Sequence, residues 1–72
     1  MSGLVKRSFS LAGHRTSVAL EQEFWDALAA LATRRGQALS ALVAAEDATR
    51  AADRPLASAL RVLALRTASG GC

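Results

Sequence analysis

The stretch "GHRTSVAL", residues 13–20, decides the fold because polar and apolar side chains alternate along it. Side chains two residues apart share one face of an extended chain, so the alternate residues form two sets. The first set is Thr16, Val18 and Leu20, and the second is Arg15, Ser17 and Ala19. A strand is therefore predicted from His14 to Leu20. A solitary strand leaves its backbone amides and carbonyls unpaired, so this strand needs a partner.

Three helices are predicted after the strand. The first opens at Glu21–Glu23 and stops at Gly36, with acidic residues in its first turns and two arginines in its last, where the helix dipole favours them. The second is predicted from about Ala38 to Arg50, and the third has Pro55 near its first turn. Apolar residues at helical spacing give these helices inner faces: Phe24, Trp25, Leu28 and Leu31, then Leu39, Leu42 and Val43, then Leu56, Leu60 and Leu63. Glu46 continues the inner face of the second helix, so its carboxylate must reach solvent or a partner.

The length allows one domain with a small core. Apolar residues make up 51% of the 72 residues, but 17 of the 37 are alanine. A chain of this size buries only about 60% of its unfolded surface, so we expect oligomerisation to add buried area. Two copies that pair their strands antiparallel about a two-fold axis would satisfy both needs.

The fold class predicted on this basis is mainly α, with one N-terminal strand paired across a homodimer, two helices and a third C-terminal helix. The predicted divisions are a basic N-terminal arm over residues 1–13, in which residues 8–12 could form a short extended segment, a core over 14–50, and a third helix with a frayed tail over 51–72.

The positive charge is concentrated at the N-terminal end. Residues 1–20 contain Lys6, Arg7 and Arg15 and no acid, whereas residues 21–72 contain six basic and six acidic residues. A localised basic segment attracts polyanions such as nucleic acid or anionic lipid. A two-stranded ribbon has about the width that the major groove of B-DNA admits. The side chains that face away from the helices are therefore candidates for reading DNA.

The stretch "RTSVALEQEFWDALAALATRRGQALSALVAA", residues 15–45, resembles a ribbon-helix-helix domain. The stretch "KRSFSLAGHRTSVALEQEFWDAL", residues 6–28, is similar to a bacterial subgroup of short proteins that carry it. The resemblance implies a homodimer that inserts its paired strands into the major groove of double-stranded DNA, typical of a transcriptional regulator. It maps Arg15, Ser17 and Ala19 onto the base-facing positions.

Two further sets of residues have predicted roles. The DNA backbone contacts are assigned to Lys6 and Arg7 in the arm and, by the resemblance, to the start of the second helix at Ala38, Leu39 and Ser40. The predicted dimer core is Thr16, Val18, Leu20, Phe24, Trp25, Leu28, Leu31, Leu42 and Val43. Ala19 could contact only a thymine methyl, and Ala38 lacks the usual hydroxyl, so a phosphate there must bind backbone amides.

Enzyme chemistry is not indicated. His14 is the single histidine, Cys72 is the single cysteine, and the chain has no glycine-rich phosphate loop, so we expect no cofactor and no metal. No apolar run is long enough for a membrane span, and a cytoplasmic location is expected. Three alternatives stay open: a non-enzymatic, antitoxin-like dimer that holds a protein partner through "PLASALRVLAL" (55–65), an arm that binds anionic membranes, and a transit peptide at the N-terminus.

Overall fold

A computed structural model describes residues 3–70, with the side chains of residues 3–68. These residues form two strands and three helices: β1 (Leu4–Leu11), β2 (His14–Glu21), α1 (Gln22–Arg34), α2 (Leu39–Thr49) and α3 (Leu56–Gly70). The predicted strand and the three predicted helices are therefore present. The α3 helix continues to Gly70, through part of the segment that was expected to fray, and Cys72 lies outside the described residues.

The prediction of one strand in each chain is wrong, and the possible extended segment at residues 8–12 belongs to a longer strand. β1 pairs with β2 of the same chain in an antiparallel hairpin, with Leu4 opposite Glu21 and Leu11 opposite His14. The residues that were assigned to a basic arm thus contain an eight-residue strand. The physical reason is a second alternation, in which Phe9 and Leu11 turn towards the helices while Ser8 and Ser10 stay exposed.

The turn between the strands consists of Ala12 and Gly13. Both have positive φ angles, 48° and 87°, as a two-residue type I′ turn requires. Glycine adopts this conformation without steric cost, whereas an alanine side chain is strained in it. This turn matches the right-handed twist of the strands and fixes the hairpin register.

The core lies between the inner face of the hairpin and the three helices. Its largest members, Trp25, Leu20, Leu28, Leu42, Leu60 and Val43, are fully buried within one chain. Of the residues predicted for a dimer core, all are buried in this single-chain core except Thr16 and Phe24, which are half-buried. The α3 helix contributes Leu60 and Ala64 to it, so much of the apolar surface considered for a protein partner is covered by the chain itself.

The end of α1 determines where α2 begins. The Gly36 amide donates to the Thr33 carbonyl at 3.0 Å, and the Gln37 amide donates to the Ala32 carbonyl at 2.9 Å. With Gly36 at a φ of 68°, this is a Schellman motif, which ends a helix and turns the chain. Ala38 follows as the N-cap of α2, as predicted.

We predict that Ala12→Asn stabilises the protein. Asn-Gly is a preferred pair in type I′ turns, and asparagine tolerates the left-handed conformation better than alanine. The free energy of unfolding in urea should rise by about 1 kcal/mol. As a control, Ala29→Asn at an exposed position within α1 should lower it by about 0.5 kcal/mol, because asparagine is the poorer helix former. A decrease for Ala12→Asn would contradict the turn assignment.

Candidate nucleic-acid interface

The hairpin presents one face to solvent, which we call the outer face. It carries the side chains that alternate with the inward ones: Leu4, Lys6, Ser8 and Ser10 from β1, and Arg15, Ser17, Ala19 and Glu21 from β2. Within it the register places Lys6 opposite Ala19 and Ser10 opposite Arg15. The three residues predicted to face DNA bases therefore share one surface.

The centre of the outer face is polar and its flanks are basic. The Ser8 and Ser17 hydroxyl oxygens lie 3.2 Å apart in a cross-strand hydrogen bond. Lys6 and Arg15 are exposed, and neither forms an ion pair with any residue that the structure describes. Ser8 and Ser10 were not among the predicted site residues, although the polar–apolar alternation of residues 8–11 was a signal for a strand.

Lys6 and Arg7 lie on opposite faces of β1. The Arg7 guanidinium carbon is 5.4 Å from the centroid of the Trp25 ring, on the helix-facing side. A cation over an indole ring is attracted to its electron-rich face. The structure thus separates two side chains that the sequence grouped as DNA backbone contacts, and it leaves Lys6 alone of the two on the outer face.

Trp25 attaches β1 to α1. Its ring is 1% exposed and lies 5.8 Å from the Phe9 ring, and its indole Nε1–H donates to the Val5 carbonyl oxygen at 2.8 Å. An indole that is packed and hydrogen-bonded in this way is a core residue rather than a stacking surface for bases.

The N-terminus of α2 opens to solvent beside exposed Ala38 and Ser40. The Ala38 carbonyl accepts hydrogen bonds from the amides of Ala41 and Leu42, and no side chain caps the helix. The amides of Leu39 and Ser40 precede these and belong to the first turn, where a helix offers no internal acceptors. The Leu39 side chain packs against the core and holds this end in place.

The acidic residue of the outer face is held at its edge by a contact with α3. A carboxylate oxygen of Glu21 lies 3.3 Å from the Nε and from a terminal nitrogen of Arg61. The Arg61 guanidinium also lies 5.8 Å from the centroid of the Phe24 ring. Both partners of the ion pair are more than one-third exposed, so it contributes at most about 1 kcal/mol. Its main consequence is that the charge of Glu21 is partly compensated.

The described residues, 3–70, lack two other features. They contain no group of three or more histidine, cysteine, aspartate or glutamate side chains that could hold a metal ion. None of the helices formed by residues 3–70 combines the length and the apolar character needed to cross a bilayer.

A known protein family matches this chain. The family described as "Ribbon-helix-helix domain" matches residues 4–68, from the start of β1 into the last turns of α3. The chain belongs to the ribbon-helix-helix family. Ribbon-helix-helix domains are DNA-binding domains, and here the ribbon-helix-helix match includes β1 as well as the strand and helices that the sequence resemblance was based on. Neither the comparison with curated proteins nor that with solved structures gives a match.

Proposed function

We propose that this protein is a homodimeric transcriptional regulator that inserts a β-ribbon into the major groove of double-stranded DNA. The observation that carries the proposal is the outer face, on which Lys6 and Arg15 flank the hydrogen-bonded pair of Ser8 and Ser17 and the acid of that face, Glu21, is paired with Arg61. Arginine is the side chain that most often contacts guanine directly, and serine can bond to a base edge or a phosphate. Membership of a DNA-binding family supports the same function.

The dimer contact follows from the backbone of β2. In a hairpin closed by a two-residue turn, the flanking pair exchanges hydrogen bonds and the following pairs alternate. Starting from Leu11 and His14, this alternation directs the backbone groups of Arg15, Ser17 and Ala19 away from β1, to the free edge of β2. Exposed edges of this kind readily pair with another chain. A second copy placed antiparallel there gives a four-stranded sheet with the β2 strands at its centre, and pairing is longest with Ser17 on the two-fold axis.

The width of this sheet assigns roles to its strands. Neighbouring strands are about 4.8 Å apart, so the two β1 strands of a dimer would lie about 14 Å apart. The major groove is about 12 Å wide, so the two central strands fit into it and the outer strands lie along its walls. Arg15, Ser17 and Ala19 then face the bases, with Ala19 limited to a thymine methyl. Lys6 and the first amides of α2, at Ala38–Ser40, are placed to contact phosphates.

A cysteine pair tests which strand edge forms the dimer. In a Cys72→Ser background, Ser17→Cys should form an intermolecular disulfide under mild oxidation, because two copies of position 17 meet at the two-fold axis at a separation that a disulfide spans. Non-reducing electrophoresis would detect the covalent dimer. Ser8→Cys is the matched control, since Ser8 is also exposed on the outer face but lies on β1. Cross-linking of Ser8→Cys in place of Ser17→Cys would show that the β1 edges pair, against the proposal.

Arg15→Ala should lower the affinity for the specific operator by about 1–3 kcal/mol, because a bidentate contact to guanine is lost. The operator can be selected from random duplexes, and affinities are then measured by fluorescence anisotropy on operator and scrambled DNA. Arg35→Ala removes the same charge at the far end of α1 and should have a much smaller effect. An equal loss on both DNAs would assign Arg15 to phosphate contact instead.

Lys6→Ala and Arg7→Ala compare the contributions of the two faces of β1 to DNA binding. Each phosphate contact contributes about −0.9 to the slope of log affinity against log salt concentration. In a symmetric dimer, Lys6→Ala removes two such contacts and should reduce the slope by about 1.8. Arg7→Ala should leave the slope nearly unchanged and lower stability instead, since Arg7 covers Trp25. A slope unaffected by Lys6→Ala would exclude β1 from the groove wall.

A further inference from the structure

A surface pocket of about 200 Å³ opens between the end of α2, the α2–α3 connection and α3. Three arginines and one acid line it: Arg50, Arg54, Arg66 and Glu46. Its floor includes Ala59, which is buried, and Leu63, which is half-buried. The pocket is thus lined by basic side chains together with the apolar side chains of Ala59 and Leu63.

Arg50 is held in place by the fold. Its Nε donates to a carboxylate oxygen of Asp47 at 2.9 Å, and one terminal nitrogen donates to the Arg54 carbonyl oxygen at 2.7 Å. These bonds brace the connection that carries Arg54.

The other charged side chains of the pocket form no ion pair or side-chain hydrogen bond with the residues that the structure describes. Among the described residues, no ion pair or hydrogen bond engages the guanidinium groups of Arg54 and Arg66 or the carboxylate of Glu46. Arg54 and Arg66 are exposed, and Glu46 is half-buried beside them. Five guanidinium donors in a planar fork suit bidentate contact with phosphate, whereas a carboxylate accepts hydrogen bonds from hydroxyl or ammonium groups.

We propose that this pocket binds a small organic phosphate monoester with a short apolar body. Arg54 and Arg66 bind the phosphate, and the floor at Ala59 and Leu63 covers the apolar body. The volume equals that of about six or seven water molecules and lies below the range of about 300–1,000 Å³ typical of drug-sized ligands. A small metabolite fits these dimensions.

The pocket is separate from the outer face of the hairpin. Positions 59, 63 and 66 lie on one side of α3, whereas Arg61 lies on another side and pairs with Glu21. The inference therefore does not rest on the proposed DNA contact. A phosphate could also come from a DNA backbone, and the experiment must distinguish that source from a free ligand.

The test is a titration of the ¹⁵N-labelled full-length chain at physiological ionic strength, with phenyl phosphate as the probe. The Nε–H resonances of Arg54 and Arg66 should shift saturably, with a Kd at least about tenfold lower than for inorganic phosphate, because the phenyl group is covered by the floor. The double variant R54Q/R66Q should weaken binding at least about tenfold. Its matched control is R34Q/R35Q, which removes two exposed arginines at the end of α1 and should stay within about twofold of the original Kd.

Several outcomes would overturn the proposal. Shifts that do not saturate, equal affinity for inorganic phosphate, or equal losses in both double variants would indicate diffuse charge attraction. Binding to duplex DNA is also measured without phenyl phosphate. If R54Q/R66Q lowers this affinity more than R34Q/R35Q does, Arg54 and Arg66 contact DNA phosphates instead. Circular dichroism of each variant should match that of the unmodified protein, which checks that the fold is intact in every comparison.

Discussion

The pairing of β1 with β2 is the constraint on which the rest of the structure depends. It satisfies the backbone groups along one edge of β2, and it brings Val5 to the indole of Trp25. Without β1 in this position the Trp25 N–H, buried in the core, would lack an acceptor, at a cost of about 1–3 kcal/mol. Phe9 and Leu11 of the same strand are also buried in the core. The hairpin and the helices therefore stabilise one another.

The two-residue period of β1 and β2 also determines which charged side chains lie on the outer face. Lys6 and Arg7 are neighbours in sequence, but one lies on the outer face and the other covers Trp25. The same alternation joins Arg15 to the outer face and turns Val18 into the core. A one-residue slip in register would exchange these sets, so the type I′ turn at Ala12 and Gly13 is as important to the candidate interface as the basic residues themselves.

The hairpin changes the reason for expecting a dimer. Composition indicated that a chain rich in alanine needs a second copy to complete its core. In the structure β1 supplies part of that cover, and Leu20, Leu28 and Leu60 are fully buried within one chain. The reason to expect a partner is instead the free edge of β2, because its backbone groups that point away from β1 can pair with a strand of a second chain. In the proposed dimer the same strand forms the contact between chains and the surface that meets DNA.

By itself the sequence determined the local structure. Helical spacing and the stop at Gly36 specify α1, and alternation specifies β2 and the faces of Arg15 and Ser17, because these signals act within a few residues. Of β1 it indicated only a possible short extended segment over residues 8–12, since Gly13 was interpreted as an interruption instead of a turn and the adjacent charges as an arm. Only the tertiary structure decided what β2 pairs with, where Arg7 lies, and that Glu46 lines one pocket with arginines from two other segments. The physical reason is that spacing along the chain defines which side chains share a face, whereas the packing of whole elements determines which faces meet.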